Sequence, residues 1–421
     1  MTSNVQKVSP FTGELILPGT VVPTRDCSCH LPLNHDHAIR VDLEEELDGF
    51  WVDAYALSRC RANQLGSIRT DRAVNIFLGQ YRLWISPEPS RICAYPSVRS
   101  IDSESLRWIE AYHRSVAEPL AREYKNWAYA NLTKAAASFA AKNGAAAPSS
   151  SRAVIEIDLR RSEEIRIFRA IYRYEIYYRL FGQSDVPQQH PIPFHQVNAG
   201  FCCIFNPWEV EEIGCIDLFV REKYEDLFNQ VEADLSPEMP TFLRNPEGSV
   251  NMITDRDTNK DDSVSCGLGI LAQLLATESH QLLVDRIEQC FAHYDFTDPS
   301  LEEVISTQAQ YDRRGQMPNS LDAKDAFEAC RDPMEFLFDP IVPDVPPLAW
   351  VLLWDGIYSN IYGEYVPEPL RRWGYVMWDE DMWDDLGVKD MIAFQWHLAP
   401  NMVDKIYEDY GWAPVPDYPL I

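Results

Sequence analysis

The sequence predicts a mainly α protein: an irregular multi-helix bundle with Pro-rich loops and a non-helical N-terminal arm. Apolar residues recur at steps of three and four over several long segments, which is the period of an amphipathic helix. Alternation of apolar and polar residues, the pattern of a half-buried strand, is nearly absent. With 421 residues, 46% of them hydrophobic, the chain is long enough to bury a large core of its own.

The N-terminal arm is predicted over residues 1–40, which are rich in Pro, Gly and turn-forming residues and have no helical period. Residues 41–143 follow as a predicted helical subdomain. Its first helix is expected from Val41 to Leu57, because apolar residues keep a helical spacing there on both sides of Gly49.

The second helix of this subdomain is expected to begin behind Asp102 or Ser103, residue types that cap helix N-termini. Pro119 predicts a kink or a restart within it, because proline lacks the backbone donor that a helix interior needs. The helix should end in an alanine-rich tail. Its apolar stripe consists of Leu106, Ile109, Tyr112, Val116, Leu120, Tyr124 and Trp127.

A linker or loop is predicted at residues 144–152, because the stretch NGAAAPSSS holds small and helix-breaking residues. The charge balance changes at the same place. Residues 153–421 are therefore predicted to form an acidic helical main domain.

The main domain should contain two strongly specified helices. The block EEIRIFRAIYRYEIYYRLF has a helical apolar period with arginines between the apolar positions, and its tyrosines indicate packed core rather than a base-stacking platform. The next helix is announced by Asn206 as N-cap, Pro207 at the first helical position and Glu209 at the third. Further helices are expected at Gly267–Tyr294, Ser300–Tyr311 and Leu348–Tyr362.

Three segments, EEIRIFRAIYRYEIYYRLF, NPWEVEEIGCIDLF and RRWGYVMWDEDMWDDLG, resemble in that order segments of a set of uncharacterised proteins of filamentous ascomycete fungi. The resemblance covers roughly residues 40–400. It implies a fungal origin and a helical fold, and it implies no activity, cofactor or catalytic residue. Some similar fungal proteins begin with an F-box, but this chain lacks that leucine- and proline-rich helical start, so a ubiquitin-ligase adaptor role is not supported.

The net charge of −28 is unevenly distributed. Residues 1–150 hold 16 basic and 16 acidic side chains, whereas residues 332–421 hold 4 basic and 17 acidic ones. Such an acidic chain repels phosphate backbones, so direct nucleic-acid binding is not expected. The acidic side chains can attract a basic protein or peptide, or they can simply keep an aromatic-rich protein soluble.

The compartment expected from the sequence is the cytoplasm or the nucleus. The N-terminus lacks the basic start and apolar core of a signal peptide, and no window reaches eighteen apolar residues, so neither export nor membrane insertion is expected. The 10 cysteines are scattered over the chain rather than dense, so most should be reduced and buried.

Potential metal ligands crowd together in the run CSCHLPLNHDH. Zinc prefers four thiolate or imidazole ligands, and the C-x-C and H-x-H pairs can each present two ligands on one side of an extended strand. The spacing matches no zinc-finger motif, and Ile39 replaces the aspartate of the metallohydrolase pattern HxHxDH. A redox-active thiol pair and plain loop residues are the alternatives. The predicted zinc ligands are Cys27, Cys29, His30, His35 and His37.

The C-terminal segment combines acids with seven of the 12 tryptophans. Tryptophan often anchors protein interfaces, so this segment could bind a basic partner, although some of the tryptophans must be core. The acids also resemble the magnesium-binding carboxylates of helical terpene cyclases, but they lie near the C-terminus without the second motif, so a solvated helix start is the ordinary interpretation. The predicted partner-binding residues are Trp378, Asp379, Asp381, Trp383, Asp384 and Asp385.

The remaining motifs are weak. Residues 255–261 match the first half of a calcium loop, but Lys260 replaces its glycine. His190 and His195 with the nearby Cys202 and Cys203 could offer ligands, yet nothing specifies a metal. Serine-hydrolase and nucleotide-binding motifs are missing from the sequence.

These observations favour an interaction or regulatory module with an acidic, Trp-rich C-terminal surface. The alternative is a zinc-dependent protein or enzyme that uses the cluster at residues 27–37. Zinc is the one cofactor that the residue types suggest, and the sequence specifies neither a substrate nor an oligomeric state.

Overall fold

The structure is a computed structural model that describes residues 33–61, 70–86, 96–143, 158–182, 192–236, 267–291, 301–306, 346–354, 362–363, 366–380 and 387–397. Of these residues, 79% are helical and none lies in a strand. The predicted fold class, a mainly α multi-helix protein, is confirmed.

The N-terminal half of the chain contributes five helices that the structure describes. They are α1 (Leu33–Glu46), α2 (Trp51–Arg59), α3 (Asp71–Ile85), α4 (Ser103–Tyr112) and α5 (Glu118–Lys142), with a π-helical turn at His113–Ala117 between the last two.

The remaining described helices begin with two long ones, α6 (Arg161–Phe181) and α8 (Pro207–Val231), separated by the short α7 (Phe194–Gly200). A 3₁₀ turn at Glu232–Asp234 follows α8. The others are α9 (Leu268–Leu275), α10 (His280–Phe291), α11 (Leu301–Val304), α12 (Leu348–Leu353), α13 (Glu368–Arg372) and α14 (Val388–His397).

The N-terminal arm is shorter than predicted, because α1 begins at Leu33 and not at Val41. The helix extends further toward the N-terminus because Ile39 buries its side chain four residues before Leu43 on the same face. The single helix expected across Gly49 is also wrong. Gly49 adopts φ +89°, which ends α1 and lets α2 begin at a new angle.

The discontinuity predicted at Pro119 lies just before it. The chain passes from α4 through the π turn into α5 with helical backbone throughout, and Pro119 is the second residue of α5. Asp102 caps α4 as expected, with its carboxylate accepting from the Ser105 N–H over 2.8 Å.

The long helices α6 and α8 pack against each other at the centre, and α2 packs on α6. The start of α8 has the predicted capping box: the Glu209 carboxylate accepts from the Asn206 N–H over 2.8 Å. Most of α6 is buried on all sides, including the tyrosines that the sequence assigned to the core. Buried residues from both sides of the predicted linker form one hydrophobic cluster.

Candidate functional site

Two of the predicted zinc ligands lie in a helix rather than in an extended arm. His35 and His37 belong to the first turns of α1, and the His37 side chain is exposed. Cys27, Cys29 and His30 lie outside the described residues, and zinc binding by this cluster stays a prediction.

The predicted partner-binding segment turns inward where the structure describes it. Trp378 is 1% exposed, and its Nε1 donates to the Trp373 carbonyl over 2.7 Å. Asp379 accepts from Nη1 of Arg166 over 2.7 Å and from the Ser162 hydroxyl, both on α6. Trp378 is therefore a core residue, and Asp379 is partly buried with its charge paired to α6. Partner binding by this segment stays a prediction. Asp381, Trp383, Asp384 and Asp385 lie outside the described residues.

The weaker ligand group around His195 is dispersed where it is described. His195 is half-buried on α7, Cys202 is buried and Cys203 is partly buried. His190 and the calcium-like run at residues 255–261 lie outside the described residues.

A buried network of charged side chains joins α2, α6 and α8. Arg169 donates from Nε and Nη2 to both carboxylate oxygens of Glu212 over 2.6 and 2.5 Å. Arg173 donates from Nε to Asp53 over 3.0 Å and from Nη1 to Glu209 over 2.8 Å. None of these five residues is more than 5% exposed. The network therefore fixes how the three helices sit against one another.

The two glutamates of this network differ in their electrostatics. Burial alone raises the pKa of Glu209, but the charges of Arg173 and Arg169 outweigh it and lower this pKa to about 2. For Glu212 burial dominates and raises the pKa, in spite of the contact with Arg169. Glu209 is thus held ionised, whereas the carboxylate form of Glu212 is costly.

A second network ties α13 to α8. Arg371 donates from Nε to Glu211 over 2.9 Å, and the same carboxylate accepts from the Gly363 N–H over 2.5 Å and from the Tyr375 hydroxyl over 3.2 Å. Gly214 lies beside Arg371, and a Cβ there would sit 3.5 Å from its Nε. In both networks the charged groups pair with one another inside the protein, which is the arrangement of a structural core.

The sequence contains a signal for the first network, the one that joins α2, α6 and α8. Arg169 and Arg173 lie four residues apart in the same stripe as Tyr172 and Ile176, so they share a buried helix face with apolar residues. Charged residues in an apolar stripe indicate buried partners of opposite charge on a neighbouring helix.

A different group of polar side chains surrounds the π turn. One ligand atom from each of His113, Glu118 and Glu46 lies within 4.8 Å of the other two. Arg114 donates from Nη2 to Glu46 over 2.6 Å and from Nη1 to Glu118 over 2.5 Å. His113 is buried, whereas the two glutamates and Arg114 reach solvent. Among the described residues, this is the group whose donor atoms could surround a metal ion.

An acidic surface lies where the end of α8 meets α10. We define this α8–α10 acidic surface by Glu225, Asp226, Glu232, Asp234 and Asp285. Two contacts join the chain after α8 to α10. Nε2 of His280 lies 2.8 Å from an Asp234 carboxylate oxygen, and the Ser236 N–H donates to Glu288 over 2.6 Å.

Lys223 and Arg286, two basic residues of these elements, pair with groups outside the α8–α10 acidic surface, whereas His280 contacts Asp234 within it. Lys223 pairs with Glu123 on α5 at 3.6 Å, and Arg286 donates to the Gln273 carbonyl and the Thr277 hydroxyl. The pKa of Glu225 is raised by burial and by the negative charges of Glu222 and Asp226. This surface therefore carries carboxylates that repel each other.

Comparison with protein-family models, with curated proteins and with solved structures found no match for this chain. None of the helices in the described ranges has both the length and the hydropathy of a membrane-spanning helix.

Proposed function

We propose that this protein is an interaction module that binds a basic segment of a partner protein through the α8–α10 acidic surface. The observation that carries the proposal is the group of carboxylates at the end of α8. Glu225 and Asp226 have no ion pair with a described residue, and the Glu225 pKa is raised by burial and by repulsion from Glu222 and Asp226, against the charge of Arg372. A basic partner would relieve that repulsion and gain Coulomb energy at the same time.

An exposed leucine supports the same role. Leu282 on α10 is 45% exposed and stands three residues before Asp285, on the same helix face. An apolar side chain beside acids suits a partner segment that carries both apolar and basic residues, such as an amphipathic basic helix. The proposal moves the interaction role from the C-terminal tryptophans to α8 and α10.

The proposed setting is the cytoplasm or the nucleus, as expected from the sequence. Cys60 and Cys215 are buried free thiols, which is usual in the reducing environment of those compartments. The resemblance to fungal proteins adds no activity, so the proposal depends on charge and exposure alone.

The test is binding of a synthetic amphipathic peptide of leucine and lysine, followed by fluorescence anisotropy at low and physiological salt. We expect the double reversal Asp226→Lys/Glu232→Lys to weaken binding by roughly tenfold or more, equivalent to about 1.4 kcal/mol. Added salt should weaken binding of the unchanged protein, because the attraction is electrostatic.

The matched control is Asp42→Lys/Glu45→Lys on α1, which makes the same change in net charge in the charge-balanced half of the chain. Both control side chains are exposed. We expect this variant to bind the peptide almost as well as the unchanged protein. Equal weakening by both double variants would mean that only net charge matters, and it would contradict a specific surface.

A further inference from the structure

The π turn between α4 and α5 brings His113 and Glu118 together. The Glu118 N–H donates to the His113 carbonyl, five residues earlier, instead of the usual four. In a regular α-helix, positions five apart point roughly 140° away from each other. The wider π turn moves the Glu118 side chain toward the His113 imidazole, and Nε2 of His113 lies 3.7 Å from Glu118 Oε1. Single π turns of this kind are frequent at functional sites.

One donor atom in this group is buried without a hydrogen bond. Oε2 of Glu46, in the last turn of α1, has no hydrogen-bond partner. Nε2 of His113, whose side chain is 3% exposed, lies beyond hydrogen-bond distance of Glu118. Buried polar atoms without a partner are rare in folded proteins and call for an explanation.

The opposite edge of the His113 imidazole contacts residues of the core. Nδ1 of His113 lies 3.2 Å from the hydroxyl of the buried Tyr172, and the Phe168 ring packs 5.1 Å away, centroid to centroid. A histidine that binds a metal through one ring nitrogen is usually oriented by a hydrogen bond at the other. The Tyr172 hydroxyl and the Phe168 ring thus fix the orientation of the imidazole, which leaves Nε2 on the side of Glu118.

We propose that His113, Glu118 and Glu46 bind a divalent first-row transition ion such as zinc. One imidazole and two carboxylates are a mixed nitrogen and oxygen set, which suits zinc or manganese better than calcium or magnesium. Three protein ligands leave one tetrahedral position for water, as in zinc sites that are open to substrate. The site shares no residue with the predicted cluster at residues 27–37.

Arg114 supplies the positive charge that pairs with the two carboxylates of this site. Its guanidinium bridges the two carboxylates, and its side chain is 44% exposed, so it can turn toward solvent when an ion arrives. Arg114 and a divalent ion compete for the same carboxylates. Removal of the Arg114 charge should therefore strengthen ion binding, whereas it would merely break two surface ion pairs if no ion bound there.

The experiment is calorimetric titration of the full chain with Zn²⁺ after chelator treatment, with the visible spectrum of the Co²⁺ form as a second measurement. We expect one ion bound at this site. Glu118→Gln removes a ligand and should weaken binding by roughly 100-fold or more, whereas Tyr172→Phe removes only an outer partner of His113 and should weaken it roughly tenfold. Arg114→Gln should tighten it.

Two controls separate this site from other sources of binding. Glu368→Gln removes the carboxylate of another exposed pair with spacing i,i+4 to Arg372, and it should leave ion affinity unchanged. Cys27→Ser/Cys29→Ser removes the thiols of the N-terminal cluster and should leave the site at the π turn intact. If His113→Gln fails to fold, Glu118→Gln, whose side chain is 30% exposed, still tests the proposal.

Three results would overturn the proposal: an unchanged protein that binds no ion, ion binding that survives Glu118→Gln, and binding that disappears only in the cysteine variant. A fourth is Arg114→Gln that loses stability without gaining affinity for the ion. Each of these outcomes would assign the cluster to ordinary ion pairing around a buried histidine.

Discussion

Nε of Arg173 on α6 lies 3.0 Å from Oδ1 of Asp53 on α2, and both side chains are buried. The same guanidinium reaches Glu209 on α8 at 2.8 Å, so one arginine links three helices that are far apart in sequence. The Tyr81 hydroxyl on α3 donates to the same Asp53 oxygen. Because desolvation of these charges is costly, the contacts stabilise this arrangement of helices mainly against arrangements that leave a charge alone.

Arg173→Met should destabilise the protein strongly. The substitution leaves Asp53 and Glu209 buried without this counter-charge, and we expect the free energy of unfolding to fall by about 3–5 kcal/mol. Urea denaturation followed by circular dichroism measures the change. Arg372→Met is the control, because Arg372 makes only exposed or half-exposed pairs with Glu368 and Glu222, each contributing about 0–1 kcal/mol. Similar losses of unfolding free energy in both variants would show that the buried pairs contribute no more stability than the exposed ones.

Glu209→Gln should cost more stability at neutral pH than Glu212→Gln. The lowered pKa of Glu209 means that the fold favours its ionised form, which glutamine cannot replace. The raised pKa of Glu212 means that the fold disfavours its ionised form, so neutral glutamine is a closer substitute. Thermal denaturation at pH 7 compares the two variants, and a larger loss for Glu212→Gln would contradict the assignment.

The pH dependence of the Glu209 contribution follows from the direction of its shift. A carboxylate whose pKa is lower in the folded state stabilises the fold above its ordinary pKa of 4.5, and this stabilisation is lost as the pH falls from 4.5 toward 2. The stability difference between the unchanged protein and Glu209→Gln should therefore shrink over that interval. A stability difference between these two proteins that stays constant down to pH 2 would contradict a lowered pKa for Glu209.

The sequence predicted local features better than the contacts between helices. The capping box at Asn206, the cap at Asp102 and the helical period of α6 depend on neighbours within a few residues, and the structure confirms them. The burial of Trp378 could not be predicted, because a local pattern does not show which parts of the chain pack together. The π turn could not be predicted either, since the one-residue change from α to π hydrogen bonding at His113 leaves no clear periodic signal.

Trp378→Ala tests the inward position of this residue. Because the side chain is 1% exposed, we expect a loss of about 3–5 kcal/mol in the free energy of unfolding, as for other buried aromatic truncations. An exposed interface tryptophan would leave stability nearly unchanged. Leu352→Ala, at a side chain that is 40% exposed, is the control and should change stability by about 0.5 kcal/mol or less.

Two glycine substitutions should change stability in opposite directions. Gly374 adopts φ +68° in the turn that follows α13, and a Cβ there would collide with the Tyr124 hydroxyl. We expect Gly374→Ala to destabilise the protein by at least about 1–2 kcal/mol, the cost of a left-handed backbone for an L-residue, with the collision added.

Gly79 is the matched position, in the middle of α3 and with open space around the Cβ that alanine would add. Gly79→Ala should stabilise the protein by about 0.5–1 kcal/mol, because alanine loses less backbone entropy than glycine in a helix. Melting temperatures of the two single variants, measured side by side, should move apart. If Gly374→Ala also raised the melting temperature, the turn that carries Tyr375 and Trp378 into the core would not require glycine, and the packing of Tyr124 against it would have to be different.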